Sequence, residues 1–127
     1  MRAITITLLI CMFIALSLGI FCSCYTHHVS QEYQLQIEDT AFAIQENQWK
    51  DALEKILFLE KHWEKHAHIL SLFTDHGEVD AVSLALTQLR VSIEEQERYH
   101  ALLYAAEICE TLVLIHSRDA FVLKNIL

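Results

Sequence analysis

The chain has 127 residues, no proline and only two glycines, Gly19 and Gly77, so residues that break helices are almost absent and an all-α fold is favoured. Its formal net charge of -8 at pH 7 makes it a poor candidate for binding nucleic acid or anionic lipid through its overall field. Three of its four cysteines lie in or beside the N-terminal apolar stretch, a distribution that matches neither a disulfide framework nor a zinc site.

The N-terminal stretch predicts a transmembrane helix. Residues 3–25 carry no charged side chain, and about 20 apolar residues suffice for a helix to span the hydrocarbon core of a bilayer. Arg2 precedes this run and no Lys or Arg follows it before Lys50, so the positive-inside rule places the N-terminus in the cytoplasm. We therefore expect a single-pass cell-membrane protein with an anchor over residues 1–26 and an extracytoplasmic domain over residues 27–127.

Two other fates of this stretch stay open. A cleaved signal peptide would give a secreted protein, but the apolar core is long and no Ala-x-Ala-like site is evident. Lipoprotein processing before Cys24 would give a lipid-anchored protein, but Phe21 and Cys22 fit the preceding positions poorly.

Two amphipathic helices are predicted next, over residues 28–47 and 48–73. The first has a thin apolar stripe and can continue directly from the membrane helix, because nothing between Cys24 and Ser30 breaks it. The second has a continuous apolar seam at alternating steps of four and three. Its members are Ala52, Ile56, Leu59, Trp63, His66, Leu70 and Phe73. We expect Trp63, Leu70 and Phe73 to lie in the core.

A turn is predicted around Gly77, the only glycine outside the apolar stretch. Asp75 and Glu78 have the spacing of a capping box, and Glu78 and Asp80 place negative charge at the positive end of the next helix dipole. A divalent cation bound by Asp75, His76, Glu78 and Asp80 is the alternative, but the turn is too short for a calcium loop. We interpret the five residues Asp75, His76, Gly77, Glu78 and Asp80 as a structural turn.

Helices three and four are predicted over residues 76–97 and 99–117. Leu86 and Leu89 belong to the apolar seam of the third helix and are expected in the core. A break is predicted at Ser117-Arg118-Asp119, followed by a short apolar tail over residues 120–127. Together the predicted elements form an antiparallel bundle of about four helices after the transmembrane helix.

Three histidine patterns invite a metal-site reading, and each has a simpler explanation. His62 and His66 have the i,i+4 spacing of zinc ligands, but Trp63 stands where a zincin has its glutamate. Glu97-x-x-His100 is half of a di-iron motif whose second half is missing. His27 and His28 lie at the expected membrane boundary, where polar residues are common. We predict no catalytic, cofactor-binding or metal-binding residue.

The chain resembles a family of small bacterial proteins known as domain of unknown function 4363. The resembling features are Trp49, Trp63, the Phe73-x-Asp75-His76-x-Glu78-x-Asp80 turn, the Leu86-x-x-Leu89 step and the closing Leu123-x-Asn125-Ile126-Leu127. They span residues 49–127. The resemblance implies a membrane-anchored helical protein of spore-forming Gram-positive bacteria, and it brings no catalytic residue or cofactor.

From these patterns we expect a non-enzymatic accessory or interaction subunit that docks on another membrane or envelope protein. Trp49 and Phe121 are the candidate anchors for docking, since they lie off the predicted core seams. The alternative is an envelope sensor or binding module whose histidines respond to pH or a metal ion. A hydrolase has little support, because no nucleophile, base and orienting group can be recognised together.

Overall fold

The computed structural model describes residues 1–72 and 74–126, and within the last helix it leaves the side chains of residues 118–123 and 126 undescribed. It contains four α-helices. They are α1 (Arg2–Gln45), α2 (Trp49–Leu70), α3 (His76–Glu94) and α4 (Arg98–Ile126). The described part of the chain has no β-strand, so the all-α prediction is confirmed.

Helix α1 is one continuous helix that includes both the apolar stretch and the first helix of the bundle. Its most apolar 18-residue window is not buried by any other part of the protein. Burial begins at Thr26 and continues through Val29, Ser30 and Tyr33, where neighbouring helices cover α1. A helix with this length and composition can cross a membrane, and a signal sequence has the same features.

The packed half of α1 forms an antiparallel four-helix bundle with α2, α3 and α4. Each helix packs mainly against two neighbours, so that α1 and α3 both lie between α2 and α4. We call the end where α1 enters the bundle the entry end, which also holds the α2–α3 turn, and the opposite end the distal end. The core runs the length of the bundle, and its largest fully buried side chains are Trp63, Ile37, Ile44, Ile56, Leu59, Leu70, Leu86, Leu89, Ile93, Ile108, Leu112 and Ile115.

The two distal turns share one geometry. Asn47 and Gln96 adopt the left-handed backbone conformation, with φ of 59° and 55°. The next residue in each turn donates its N–H to a carbonyl five positions back, with distances of 2.8 Å from Gln48 to Ala43 and 2.9 Å from Glu97 to Ser92. This hydrogen bond and the left-handed residue are the features of a Schellman motif.

The same offset of 49 residues that relates Asn47 to Gln96 also relates the buried positions of the two hairpins. Buried pairs at this offset include Tyr33 and Val82, Ile37 and Leu86, Ile44 and Ile93, Ala52 and Ala101, Leu59 and Ile108, and Trp63 and Leu112. The packed half of α1 with α2 therefore repeats the architecture of α3 with α4. Side-chain identity is shared at only two of these pairs, so the repeat is one of burial and turn geometry.

Several predicted boundaries differ from the structure. Helix α2 ends at Leu70 rather than at residue 73, and α3 ends at Glu94 rather than at residue 97. The predicted break at Ser117-Arg118-Asp119 is wrong, since α4 continues to Ile126. None of those three residues is proline or glycine, so the polar triplet lowers helix propensity only slightly and does not end the helix. Phe73, predicted in the core, lies outside the described residues.

Candidate functional site

A pair of polar aromatic side chains lies where α1 enters the bundle. The hydroxyl of Tyr25 and Nδ1 of His66 are 2.8 Å apart, which joins the last residue of the apolar stretch to α2. Tyr33 lies edge-on to His66 and to Trp63, with ring centroids 5.5 Å and 5.2 Å away. A neutral His66 that carries its proton on Nε2 accepts the hydrogen bond from Tyr25 at Nδ1.

The surroundings of this pair favour the neutral forms of His66 and Tyr33. Burial lowers the pKa of His66 from its ordinary value of 6.5, an effect that Glu32 opposes and that His62, His28 and Lys65 reinforce. Burial also raises the pKa of Tyr33, and the negative charge of Glu32 adds to that rise. Because both shifts disfavour charge, His66 and Tyr33 pack as neutral aromatic side chains at neutral pH.

A second polar contact joins α1 to α4 at the same end. Nδ1 of His27 lies 3.0 Å from Nε2 of His116, and the two ring centroids are 4.3 Å apart. One turn further into the bundle, the hydroxyl of Ser30 donates to the carbonyl of Leu112 over 2.7 Å in a buried contact. Two imidazoles at this distance share a hydrogen bond only if one nitrogen is protonated and the other is not, so the contact is sensitive to protonation.

His62 and His100 make local contacts. Nδ1 of His62 lies 2.8 Å from the carbonyl of Phe58, and its ring stacks on Phe58 at a centroid distance of 4.0 Å. His62 and His66 are therefore engaged with different partners. His100 pairs with Glu97 over 2.9 Å on the surface. Among the residues that the structure describes, no group of three or more His, Cys, Asp or Glu side chains is placed to hold a metal ion.

The turn that follows α2 is built around Asp75. Its Oδ1 accepts a hydrogen bond of 2.7 Å from the N–H of Gly77, and Asp75 has the extended backbone of an N-cap residue. A Cβ atom at Gly77 would lie 3.1 Å from that Oδ1, so the absence of a side chain allows the close approach. His76 and Asp80 are exposed and Glu78 is half-buried. The contacts of Asp75 are those of a helix cap.

Of the two predicted docking anchors, the structure describes the side chain of Trp49 but not that of Phe121. Trp49 is the first residue of α2 and is half-buried, with part of its ring packed against the core. Phe121 lies in α4, and its side chain is outside the described residues. The predicted core residues Trp63, Leu70, Leu86 and Leu89 are each no more than 2% exposed.

An open groove between α1 and α2 carries several carboxylates. Its volume is about 350 Å³, and it is lined by Gln36, Asp39, Asp51, Glu54, Lys55, Phe58 and Leu59. Lys55 forms an ion pair of 3.1 Å with Asp51 along the surface of α2. The lining contains no Ser, Cys or His side chain, so it forms neither a Ser-His nor a Cys-His pair.

Comparison with protein families identifies the chain. A family profile described as Domain of unknown function (DUF4363) matches residues 20–126. The chain belongs to this family. The DUF4363 match begins 29 residues before Trp49, where the sequence resemblance starts, and so includes the packed half of α1. No curated protein and no solved structure matches the chain.

Sequence reasoning missed the two contacts that define the entry end. Neither Tyr25 nor His116 was predicted to form a contact between helices. Their partners are 41 and 89 residues away in the chain, and no local sequence pattern predicts contacts over such separations. The one available signal is that Tyr25, His27, His66 and His116 are all placed at the same end of an up-down-up-down bundle.

Proposed function

We propose that this DUF4363 protein is a membrane-anchored, non-enzymatic subunit that docks on another membrane or envelope protein. In this proposal the N-terminus lies in the cytoplasm, residues 3–25 cross the cell membrane, and the bundle lies outside. The observation that carries the proposal is the continuity of α1, which passes from the apolar stretch into the core without a break. A bundle fused to its anchor in this way presents its outer surface at a fixed height above the membrane.

The outer surface offers apolar groups that a partner could bury. Leu35 and Phe42 are 60% and 61% exposed on the outer face of α1. On α4, Tyr99 is 75% exposed and Leu103 is 49% exposed. Aromatic and aliphatic side chains of this kind serve as anchors when they enter pockets of a partner. Trp49 remains a candidate anchor through the part of its ring that the core leaves uncovered.

A second candidate function is a sensor of pH in the envelope. The pairs Tyr25–His66 and His27–His116 favour it, because each joins the helix that leaves the membrane to another helix through an imidazole. Protonation of both imidazoles of the His27–His116 pair would remove the acceptor that their hydrogen bond needs, and a positive charge on His66 is disfavoured by its burial. The docking proposal is the simpler of the two, since it requires no change of state.

Cross-linking in native membranes tests the docking proposal. The full chain is cross-linked in intact cells and purified, and the yield of a discrete heteromeric product is compared among Trp49→Ala, Tyr99→Ala and the wild type. Lys50→Ala, next to Trp49 on the same exposed turn, is the matched control. We expect at least one aromatic variant to lose the product while the control keeps it. Equal yields in all four proteins would contradict docking through these groups.

A further inference from the structure

The α2–α3 turn lies beside the end of the apolar stretch. His66 of the antiparallel helix α2 contacts both Tyr25, the last residue of that stretch, and Tyr33, so it is level with about residue 29 of α1, midway between the two. From His66, α2 continues to Leu70, back towards the N-terminal half of α1. Four residues at 1.5 Å per residue amount to about 6 Å, so the end of α2 is level with roughly residue 25 of α1. That level is the end of the uncharged run, and the turn continues past it.

The turn exposes apolar side chains at this depth. Leu72 is 77% exposed and Ile69 is 41% exposed, while Leu70 between them is 2% exposed and belongs to the core. When the turn of a helical hairpin is exposed to water, the side chains at these positions are ordinarily polar. The exposed pair lies beside a membrane-crossing helix, so lipid is the apolar phase nearest to it.

Several polar groups of the turn are hydrogen-bonded to carbonyls of α2. The hydroxyl of Ser71 donates to the carbonyl of Ala67 over 2.7 Å, and the hydroxyl of Thr74 donates to the carbonyl of Leu70 over 3.0 Å. The backbone N–H groups of Ser71, Leu72 and Thr74 also donate to carbonyls of α2, over 2.9, 3.1 and 2.9 Å. Internally bonded donors remove much of the cost of bringing a turn into a medium with little water.

We propose that the α2–α3 turn enters the outer interface of the membrane, with Leu72 and Ile69 in contact with the acyl chains of zwitterionic phospholipid. The inference rests on the proposed membrane anchor and adds a second point of attachment to it. Asp75 and Asp80 follow immediately and are exposed, so they limit the depth of insertion and disfavour an anionic lipid surface.

The second attachment has a structural consequence. A bundle held by α1 alone can tilt together with its anchor. With the α2–α3 turn inserted as well, the entry end of the bundle is held against the membrane and the distal end faces away. The distal turns and the part of the α4 surface nearest to them are then directed away from the membrane, where a partner can reach them.

Tryptophan quenching by brominated lipid tests this insertion. The full chain is reconstituted into phosphatidylcholine vesicles, and the emission added by Leu72→Trp is measured with and without bromine on the upper acyl chain. Phe42→Trp is the matched control, since Phe42 is 61% exposed but lies far along α1 from the entry end. Leu9→Trp, within the apolar stretch, reports the anchor itself. The wild type supplies the signal of Trp49 and Trp63 that is subtracted.

We expect brominated lipid to more than halve the emission added by Leu72→Trp and by Leu9→Trp, and to leave that of Phe42→Trp unchanged. Ile69→Trp provides a second probe of the same turn if Leu72→Trp fails to fold, as judged by circular dichroism. If Leu9→Trp is quenched and both turn probes behave like Phe42→Trp, the turn is in water and the inference is overturned while the anchor stands. If Leu9→Trp is not quenched, the anchor fails and the inference fails with it.

Discussion

At the scale of single residues, Trp63 connects three helices. Its ring is 2% exposed and lies against Tyr33 of α1, while its Nε1 donates to the hydroxyl of Ser83 in α3 over 2.8 Å. Ser83 in turn donates to the carbonyl of Val79 over 3.1 Å. One side chain of α2 therefore contributes both a large buried area and a fixed hydrogen bond to the centre of the bundle.

Replacing Trp63 should damage the fold more than replacing Trp49. We expect Trp63→Ala to lower the free energy of unfolding by about 3–5 kcal/mol, because it removes a fully buried ring and leaves a cavity. Trp49→Ala should cost clearly less, since Trp49 is half-buried. Urea unfolding of the full chain in detergent, followed by circular dichroism, measures both. Equal losses would make Trp49 a core residue and remove it from the docking surface.

The helix cap at Asp75 leads to a second prediction for a single residue. Asp75→Ala should lower the free energy of unfolding by about 1 kcal/mol, because the N–H of Gly77 loses its acceptor. Asp75→Ser and Asp75→Asn should restore most of that loss, since both side chains cap helices well. A transition of the wild type that a chelator shifts to lower temperature, together with no rescue by serine, would show a metal site in place of a cap.

The lowered pKa of His66 predicts a pH dependence. Its folded pKa lies below 6.5, so the unfolded chain binds the proton more readily than the folded chain. The stability contributed by neutral His66 is therefore present above pH 6.5 and is lost as pH falls from there towards the folded pKa. His66→Gln should have a melting temperature that falls less on acidification than that of the wild type. His68→Gln, which removes an exposed histidine of the same helix, is the control, and an equally large reduction of the acid dependence in this variant would contradict the assignment.

At the scale of elements, hydrophobic periodicity predicted which stretches are helical but not where each helix ends. The seams of α2 and α3 were recognised because their apolar residues recur at helical spacing and face one core. The ends of α2 and α3 were placed three residues too late, since polar residues are compatible with both a helix end and a turn. The polar triplet at residues 117–119 was interpreted as a break for the same reason, whereas local polarity without proline or glycine does not stop a helix.

The geometry of the distal turns cannot be predicted from hydrophobic periodicity. A left-handed residue at Asn47 and Gln96 ends α1 and α3, although glycine is the residue that usually occupies this position. Without glycine as a marker, neither the matching turns nor the repeat of the two hairpins was apparent. The repeat appears only when burial along each helix is known.

Gln96 offers a stabilising substitution. Gln96→Gly should raise the free energy of unfolding by about 1 kcal/mol, because it removes the steric cost of the left-handed conformation. Asn47→Gly should gain less, since asparagine tolerates this conformation and its Oδ1 accepts a hydrogen bond from Arg98 that glycine cannot replace. Thermal unfolding of the two variants compares them directly. A loss of stability in Gln96→Gly would contradict the assigned turn geometry.

At the scale of the whole molecule, an apolar length of helix that is long enough to cross a membrane continues as one helix of the bundle. The uncharged run and the absence of helix-breaking residues made this architecture predictable, and the DUF4363 family agrees with the resemblance read from the turn and the two tryptophans. The contacts at the entry end were not predictable, because they join residues that come together only after the helices pack.

The central claim is that residues 3–25 anchor the protein with its bundle outside the cell. Cysteine labelling tests it most directly. Glu95→Cys, at the exposed distal turn, and Ala3→Cys, beside the N-terminus, are each introduced into a chain whose four native cysteines are replaced. The account predicts that a membrane-impermeant thiol reagent labels Glu95→Cys on intact cells and reaches Ala3→Cys only after lysis. Labelling of Glu95→Cys only after lysis would contradict it.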